Sequence, residues 1–494
     1  MRHSIHKTWV AISLVVTILT VIGCGGGGGT LAGGGIGGTG ITAFGTITGF
    51  GSVFVNGIEF ETSGATVYDV DDDDTKLEDD LGIGMVVTVT GTLNEDGVTG
   101  AADRIEYDDE IEGPITSAVD EDLDMQTKTF TVFETTVVVD RNSTVFANAS
   151  YDTLALNDVV EVSGFFDEAG SLLATRLEGR GTLVPGTTKV ELKGTVSGCG
   201  GDCINSFNLG SVTVNYDGGT DLTEVPGGVV SDGQFVEVKG TLEADNSITA
   251  TRIELEDEGL GDTGDDKVSI EGLVDCPDIG DCLPSFRVAG QPVDATGADF
   301  VPASLEASLA DGMEVEVEGP IVGGTLQAIR VEARGGEIRI DARVQSTNVA
   351  AGTVTLVLNP GNLTVTIDSR TELRDETGSV EQLALPDIGA GDFLEIEAYE
   401  DTASGDLIAT GLRRNEPNDD VLQGPVDSCD GSQVTILGLS YTLSDGFTAY
   451  EDENENPLLN ASDFCAARVV GGFLVKVKDE ITANGVADEA ELEN

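Results

Sequence analysis

Histidine is absent beyond position 6 of this 494-residue chain, and tryptophan beyond position 9. His3, His6 and Trp9 stand at the very start, so the remainder carries neither imidazole nor indole. That excludes Ser-His-Asp and Cys-His nucleophile systems and H-E-x-x-H zinc sites. No phosphate loop or dinucleotide fingerprint stands between a strand and a helix, and long amphipathic helical stretches are missing. Aromatic residues make up 5% of the chain, which weighs against sugar stacking. Basic residues are scarce as well. With Arg2 and Lys7 set aside, 23 of the 25 Lys and Arg remain against 89 Asp and Glu, a net charge near −66. Phosphate backbones would be repelled along such a surface, so no nucleic-acid partner is expected. The abundant carboxylates make any catalytic pairing by sequence uninformative, and an enzyme is not expected. Most of the acids are read as solvated faces of strands, which keep the chain soluble and attract divalent cations.

What the chain does have is repetition. The stretch GQFVEVKGTLEADNSITATRIELE, beginning at Gly233, recurs in parts throughout. Its first strand returns as GMVVTVTG at Gly84, NDVVEVSG at Asn157, GMEVEVEG at Gly312, GDFLEIEA at Gly391 and GFLVKVKD at Gly472. These anchors lie 73 to 81 residues apart. An alanine-led strand follows each, at Ala101, Ala174, Ala250, Ala328, Ala409 and Ala487. A short opening strand precedes each, as in GTITG at Gly45, GPITS at Gly113 and GTVSG at Gly194. Such a period is too long for a solenoid coil and reads as six modules, beads on a string. The expected boundaries are 44–115, 116–186, 187–259, 266–336, 337–417 and 418–494.

Within a module the pattern is that of strands. Val236, Val238 and Leu242 alternate with Glu237 and Lys239, which point the other way. Asp245-Asn246 closes a hairpin. The first module is expected to hold five strands: Gly45–Gly49, Ser52–Glu61, Thr66–Val70, Met85–Leu93 and Gly100–Tyr107. Five short strands in about 70 residues point to a small, partly open barrel of the OB type, with a sandwich or meander as the alternative. The fold class is therefore all-β, a tandem array of five-stranded OB-like barrels.

The G-x-V/I opening, the Thr-x-aromatic step (Thr66-Val67-Tyr68, Thr144-Val145-Phe146, Thr448-Ala449-Tyr450), the G-x-x-V-E-V-x-G strand and the A-T-R-I-E strand resemble a bacterial repeat, the domain of unknown function 5666. The resemblance spans about residues 44–494 and is strongest in the first four repeats. Ala342 and Ala398 replace glycines in the fifth, and Lys478-Asp479 ends the strand of the sixth. It implies a small β-barrel in a secreted lipoprotein and supplies no catalytic residues.

Arg2 and Lys7 precede an apolar run, Trp9–Ile22, that ends in Val21-Ile22-Gly23-Cys24. A charged start, a short apolar core and a small residue before the cut form a secretory signal over 1–23, with an uncleaved helical anchor as the alternative. The V-I-G-C ending resembles a bacterial lipobox, which implies lipid on Cys24 and membrane attachment. Gly25 after the cysteine, by the same resemblance, favours the outer membrane of a Gram-negative cell. Residues 24–43 are expected to form a lipidated, glycine-rich tether.

Six further cysteines fall in pairs inside single modules: Cys199 and Cys203, Cys276 and Cys282, Cys429 and Cys465. An even count after a secretion signal reads as disulfides, useful to modules that bury little core. Zinc is the rival, disfavoured without histidine or paired knuckles. Two polar loops set oxygen side chains at positions 1, 3, 5 and 12 of a window, as calcium loops do: Asp69, Asp71, Asp73 and Asp80, then Asp452, Asn454, Asn456 and Asp463. Asp74 and Pro457 replace the glycine of position 6, and a solvated acidic loop is the alternative. No cofactor beyond this calcium is expected. The leading functional expectation is a lipid-anchored envelope scaffold with protein partners; glycan or peptide binding on the barrel faces comes second.

Overall fold

The computed structural model describes residues 39–494 except 51, 71–74, 123–126, 142, 257–258, 261–266, 278–281, 335–337, 369–370, 381–382, 402–404, 453–456, 468–473, 480–483 and 494. The expected signal, Cys24 and most of the tether lie outside the described residues.

The N-terminal repeat contains β1 (Thr39–Gly49), β2 (Val53–Val55), β3 (Ile58–Glu61), β4 (Val67–Val70), β5 (Val86–Leu93) and β6 (Thr99–Tyr107). Two expectations are corrected here. Thr39–Ala43, read as the end of a tether, is strand, hydrogen-bonded along β5. Ser52–Glu61, read as one strand, is a hairpin that turns at Asn56 and Gly57, with φ of 54° and 69°. Two successive positive φ values are what a tight two-residue hairpin needs, and Asn-Gly supplies them with little strain.

The strands close a ring. Strand β1 pairs antiparallel with β2, and β2 with β3. Strand β3 runs parallel to β6, which returns antiparallel through β5 to β1. Strand β4 adds to the outer edge of β6. The inward side chains fill the barrel with Ile41, Ile47, Val53, Phe60, Val89 and Ile105. The same ring recurs in the next four repeats, the second closed by the Ile115–Val132 bridge. In the fourth, the last strand is broken into Thr325–Gln327 and Arg330–Ala333. The segment from Asp420 to Glu493 repeats the pairing order and closes through the Thr442–Val486 bridge. Among the described residues the only α-helices are short, Leu305–Ser308 and Ala461–Ala467.

The recurring glycines and threonines have local causes. Gly91, Gly164, Gly240 and Gly319 sit where the closing hairpin bends, and an added Cβ would lie 2.0–2.6 Å from a carbonyl of the facing strand. In the first three the antiparallel register slips at that point, a bulge that tightens the curl of the barrel. The hydroxyls of Thr66, Thr144, Thr220, Thr371 and Thr448 donate to the carbonyls of Ala102, Ala174, Ala250, Ala409 and Ala487. The same contact thus ties the chain ahead of the closing hairpin to the start of the last strand, or to the residues just before it, at five places.

The barrels are not separate beads. Strand β1 pairs parallel with Lys267–Asp275, the opening strand of the fourth repeat. The opening strands of the second and third repeats, Ile111–Pro114 and Lys189–Ser197, pair antiparallel. So do Ile338–Asn348 and Asp420–Cys429. Three continuous sheets result, each joined through a pair of opening strands. The pairing satisfies edges that isolated barrels would leave open to aggregation. Val86, Phe165 and Leu273, from three different repeats, form a further apolar contact, with Phe44 packed edge-on to Phe165 at 6.4 Å.

Candidate functional site: a buried carboxylate seam

Where the second and third barrels share a sheet, their outer faces meet the chain arriving from the first. The joined strands set Glu178, Glu161, Glu112, Glu191, Lys239 and Arg252 in one row, each opposite the next. Lys193 opposes Glu237 one step along. Asp108, Asp109 and Glu110 lie between the last strand of the first barrel and the opening strand of the second. Glu237 is left 1% exposed, Asp109 2% and Glu191 5%.

Alternation along Phe235–Leu242 places Glu237 outside its own barrel, as expected, but the face is covered rather than solvated. Glu161, Glu316 and Glu395, at the same motif position, are buried too. The solvated-face reading of these acids is corrected. Like charges directly opposed in a sheet are destabilising, and more so without water. Countercharge comes from few groups. Asp108 accepts Lys193 Nζ and Lys239 Nζ, both at 3.1 Å. Lys239 also stands 3.3 Å from Glu191 and 3.5 Å from Glu237, and Lys193 3.7 Å from Glu237. Arg180 pairs with Glu161, whose other oxygen accepts the Tyr107 hydroxyl at 3.0 Å.

These charges separate the titrations. Burial pushes Asp108 up, but the two ammoniums outweigh it and hold the carboxyl well below its usual range. Burial, with Glu161 nearby, drives Asp109 well up. Burial and then Asp109 do the same to Glu191. Glu237 is pushed up to about 8, chiefly by burial. Both carboxylate oxygens of Glu237, Oε1 of Glu191 and Oδ2 of Asp109 are buried without a hydrogen bond. One oxygen each from Asp108, Glu191 and Glu237 lies within 4.8 Å of the others. A cleft of about 790 Å³ reaches this cluster at Asp108, Glu110 and Lys193, and is lined also by Phe44, Phe165 and Phe166.

The residues singled out by sequence lie elsewhere. Cys199 and Cys203, Cys276 and Cys282, and Cys429 and Cys465 stand at disulfide distance, with Cα atoms 5.0, 4.6 and 5.4 Å apart. Asp232 accepts from the amides of Cys199, Gly200 and Gly201 and pins the first of these loops. Of the calcium candidates, Asp71, Asp73, Asn454 and Asn456 lie outside the described residues. Asp69 pairs with Arg104, and Asp80 accepts the Leu77 amide at 2.9 Å. Asp463 sits in the first turn of Ala461–Ala467, bonded by Asn460, and Asp452 follows the strand Ala449–Glu451. Among the described residues, none of these four joins a group of three ligating side chains. Glu191, Glu237 and Asp108 were not anticipated as a site. The one sequence signal is at Glu237, in the repeated V-E-V where a single acid recurs between two core positions.

A search of curated proteins returns no match. The family model described as a domain of unknown function, DUF5666, matches residues 41–106, 112–178, 193–254, 271–332 and 342–412. Those five matches correspond to the first five rings and cover most of the sequence, and the chain belongs to the DUF5666 family.

Proposed function

We propose that this protein is a lipid-anchored cell-envelope scaffold, held to the outer membrane through Cys24, that presents six OB-like modules to protein partners without catalysing a reaction. The ring order, with a parallel pair between the third and last barrel strands, supports the OB-like reading, and the repeated order in 420–493 supports a sixth module. One observation carries the scaffold reading: opening strands pair the barrels two by two, so the modules form a fixed platform instead of a loose string. Fixed spacing lets several weak contacts act together.

A second reading, peptide binding, is favoured by the cleft. Its lining sets Phe44, Phe165 and Phe166 together with Asp69, Glu106, Glu224, Glu254 and Glu256, which suits a basic segment with apolar side chains. The test is cross-linking in intact envelopes, with Cys24→Ala beside the parent. The expected result is a reproducible set of cross-linked partners from the membrane-bound parent and release of the variant from the membrane fraction. A parent that cross-links to nothing overturns the scaffold, and a variant that fractionates and migrates like the parent overturns the lipid anchor.

A further inference from the structure

We propose that Asp108, Glu191 and Glu237 bind a hard divalent cation, calcium or magnesium, which locks the first three repeats together at the carboxylate seam. Oxygens that share a calcium ion at about 2.3–2.6 Å sit about 3–5 Å from one another. The three carboxylates offer one oxygen each within 4.8 Å. They arrive from three places far apart in sequence, the link after the first barrel and two neighbouring strands of the third. A cation there would add to the Lys193 and Lys239 ion pairs that already hold the link against the paired strands of the third barrel.

The second observation is independent of that spacing. Glu237 is 1% exposed, and neither of its oxygens receives a hydrogen bond. Glu191 Oε1 and Asp109 Oδ2 are in the same position. Lys239 and Lys193 stand at ion-pair distance from Glu237, 3.5 and 3.7 Å, but a buried carboxylate oxygen that makes no hydrogen bond is still costly. Lys193 and Lys239 offset only part of the charge. Their two ammoniums face Asp108, Asp109, Glu110, Glu191 and Glu237, while Glu161 is paired with Arg180. Two more positive charges would bring the cluster close to neutrality. The donor set is oxygen alone, which selects hard ions over those that prefer nitrogen or sulfur. Asp108 and Glu110 line the cleft, which gives an ion a path from solvent. Glu110 and Asp109 stand beside the site as further oxygen donors or as acceptors for bound water.

The competing account is that protons, not a metal ion, neutralise the seam. The experiment separates them. The full-length chain in detergent is stripped with a chelator, dialysed at pH 7.5 against millimolar calcium or magnesium in 150 mM sodium chloride, and its bound ions are counted by elemental analysis. Glu237→Gln is treated in parallel. It keeps both acidic loops, Asp69–Asp80 and Asp452–Asp463, so any ions held there cancel. The expected difference is one ion per chain, together with loss of most of the rise in melting temperature that the ion gives the parent. Should Glu237→Gln fail to fold, Asp108→Asn, at the cleft edge, carries the same expectation. A parent that holds no ion overturns the site, as does a folded variant that holds as many ions as the parent.

Discussion

Gly164 shows how narrowly the repeat is set at the scale of a residue. Its missing side chain makes room for the Leu173 carbonyl, which an added Cβ would meet at 2.1 Å. The neighbouring contact is backbone, so no rotamer change relieves it. Gly164→Ala should destabilise the chain by about 1–3 kcal/mol, as overpacking does. Thermal melting beside the parent checks this, and an unchanged midpoint would refute it. Ala398, at the same place in the fifth repeat, is fully buried at its own register slip, so that barrel has adjusted to a Cβ which the second has not. This much was legible in the sequence, because a glycine recurring at fixed offset in a strand signals a bend or a close approach. The Thr-x-aromatic step was equally visible as a pattern. Its cause, a hydroxyl reaching an alanine carbonyl 30 to 39 residues away, was not.

The element that sequence reading placed correctly, yet misjudged, is the G-x-x-V-E-V-x-G strand. Alternation tells which side chains face a strand's own barrel, and Val236 and Val238 do so. It is silent on what covers the other face, because that cover comes from another repeat. The fifth repeat turns this into a pH dependence. Glu395 lies in a seam with Arg339 at 3.5 Å, Arg413 at 3.6 Å and Asn415 Nδ2 at 3.2 Å. Burial first and Asp341 second push it up to about 8, against the pull of both arginines, with Asp140 adding a further push. A folded-state value above the unfolded one, near 4.5, means that the native state holds this proton more tightly. The resulting stability is fully present below about pH 4.5 and is lost as the pH rises through about 8. Denaturant unfolding of the chelated chain between pH 5 and pH 8.5 should therefore show falling stability, with a shallower fall in Glu395→Gln. Equal slopes in parent and variant would remove Glu395 as the source.

At the scale of the whole molecule, pairing of opening strands decides what can fold alone. Sequence periodicity marks each repeat as a unit, and by that reading residues 187–259 should stand by themselves. The structure adds a dependence that no local pattern encodes, since the partner of one opening strand is another, up to a few hundred residues distant. Cut free, the third repeat would expose the edge of Lys189–Ser197, with Glu191 and Leu192 stripped of their facing residues Glu112 and Ile111. An unpaired edge seeks a second strand, and the nearest substitute is another copy of itself. The ring and its buried valines remain intact within 187–259, so the fragment should keep its β structure while self-associating. A fragment of residues 108–256 holds both partners of the seam and should sediment as a monomer. Sedimentation velocity over a tenfold concentration range distinguishes the two. Concentration-dependent dimers of 187–259 beside a monomeric 108–256 would establish the barrel pair as the unit of assembly. Monomers of both would mean that a barrel's own ring suffices and the seam follows from tethering alone.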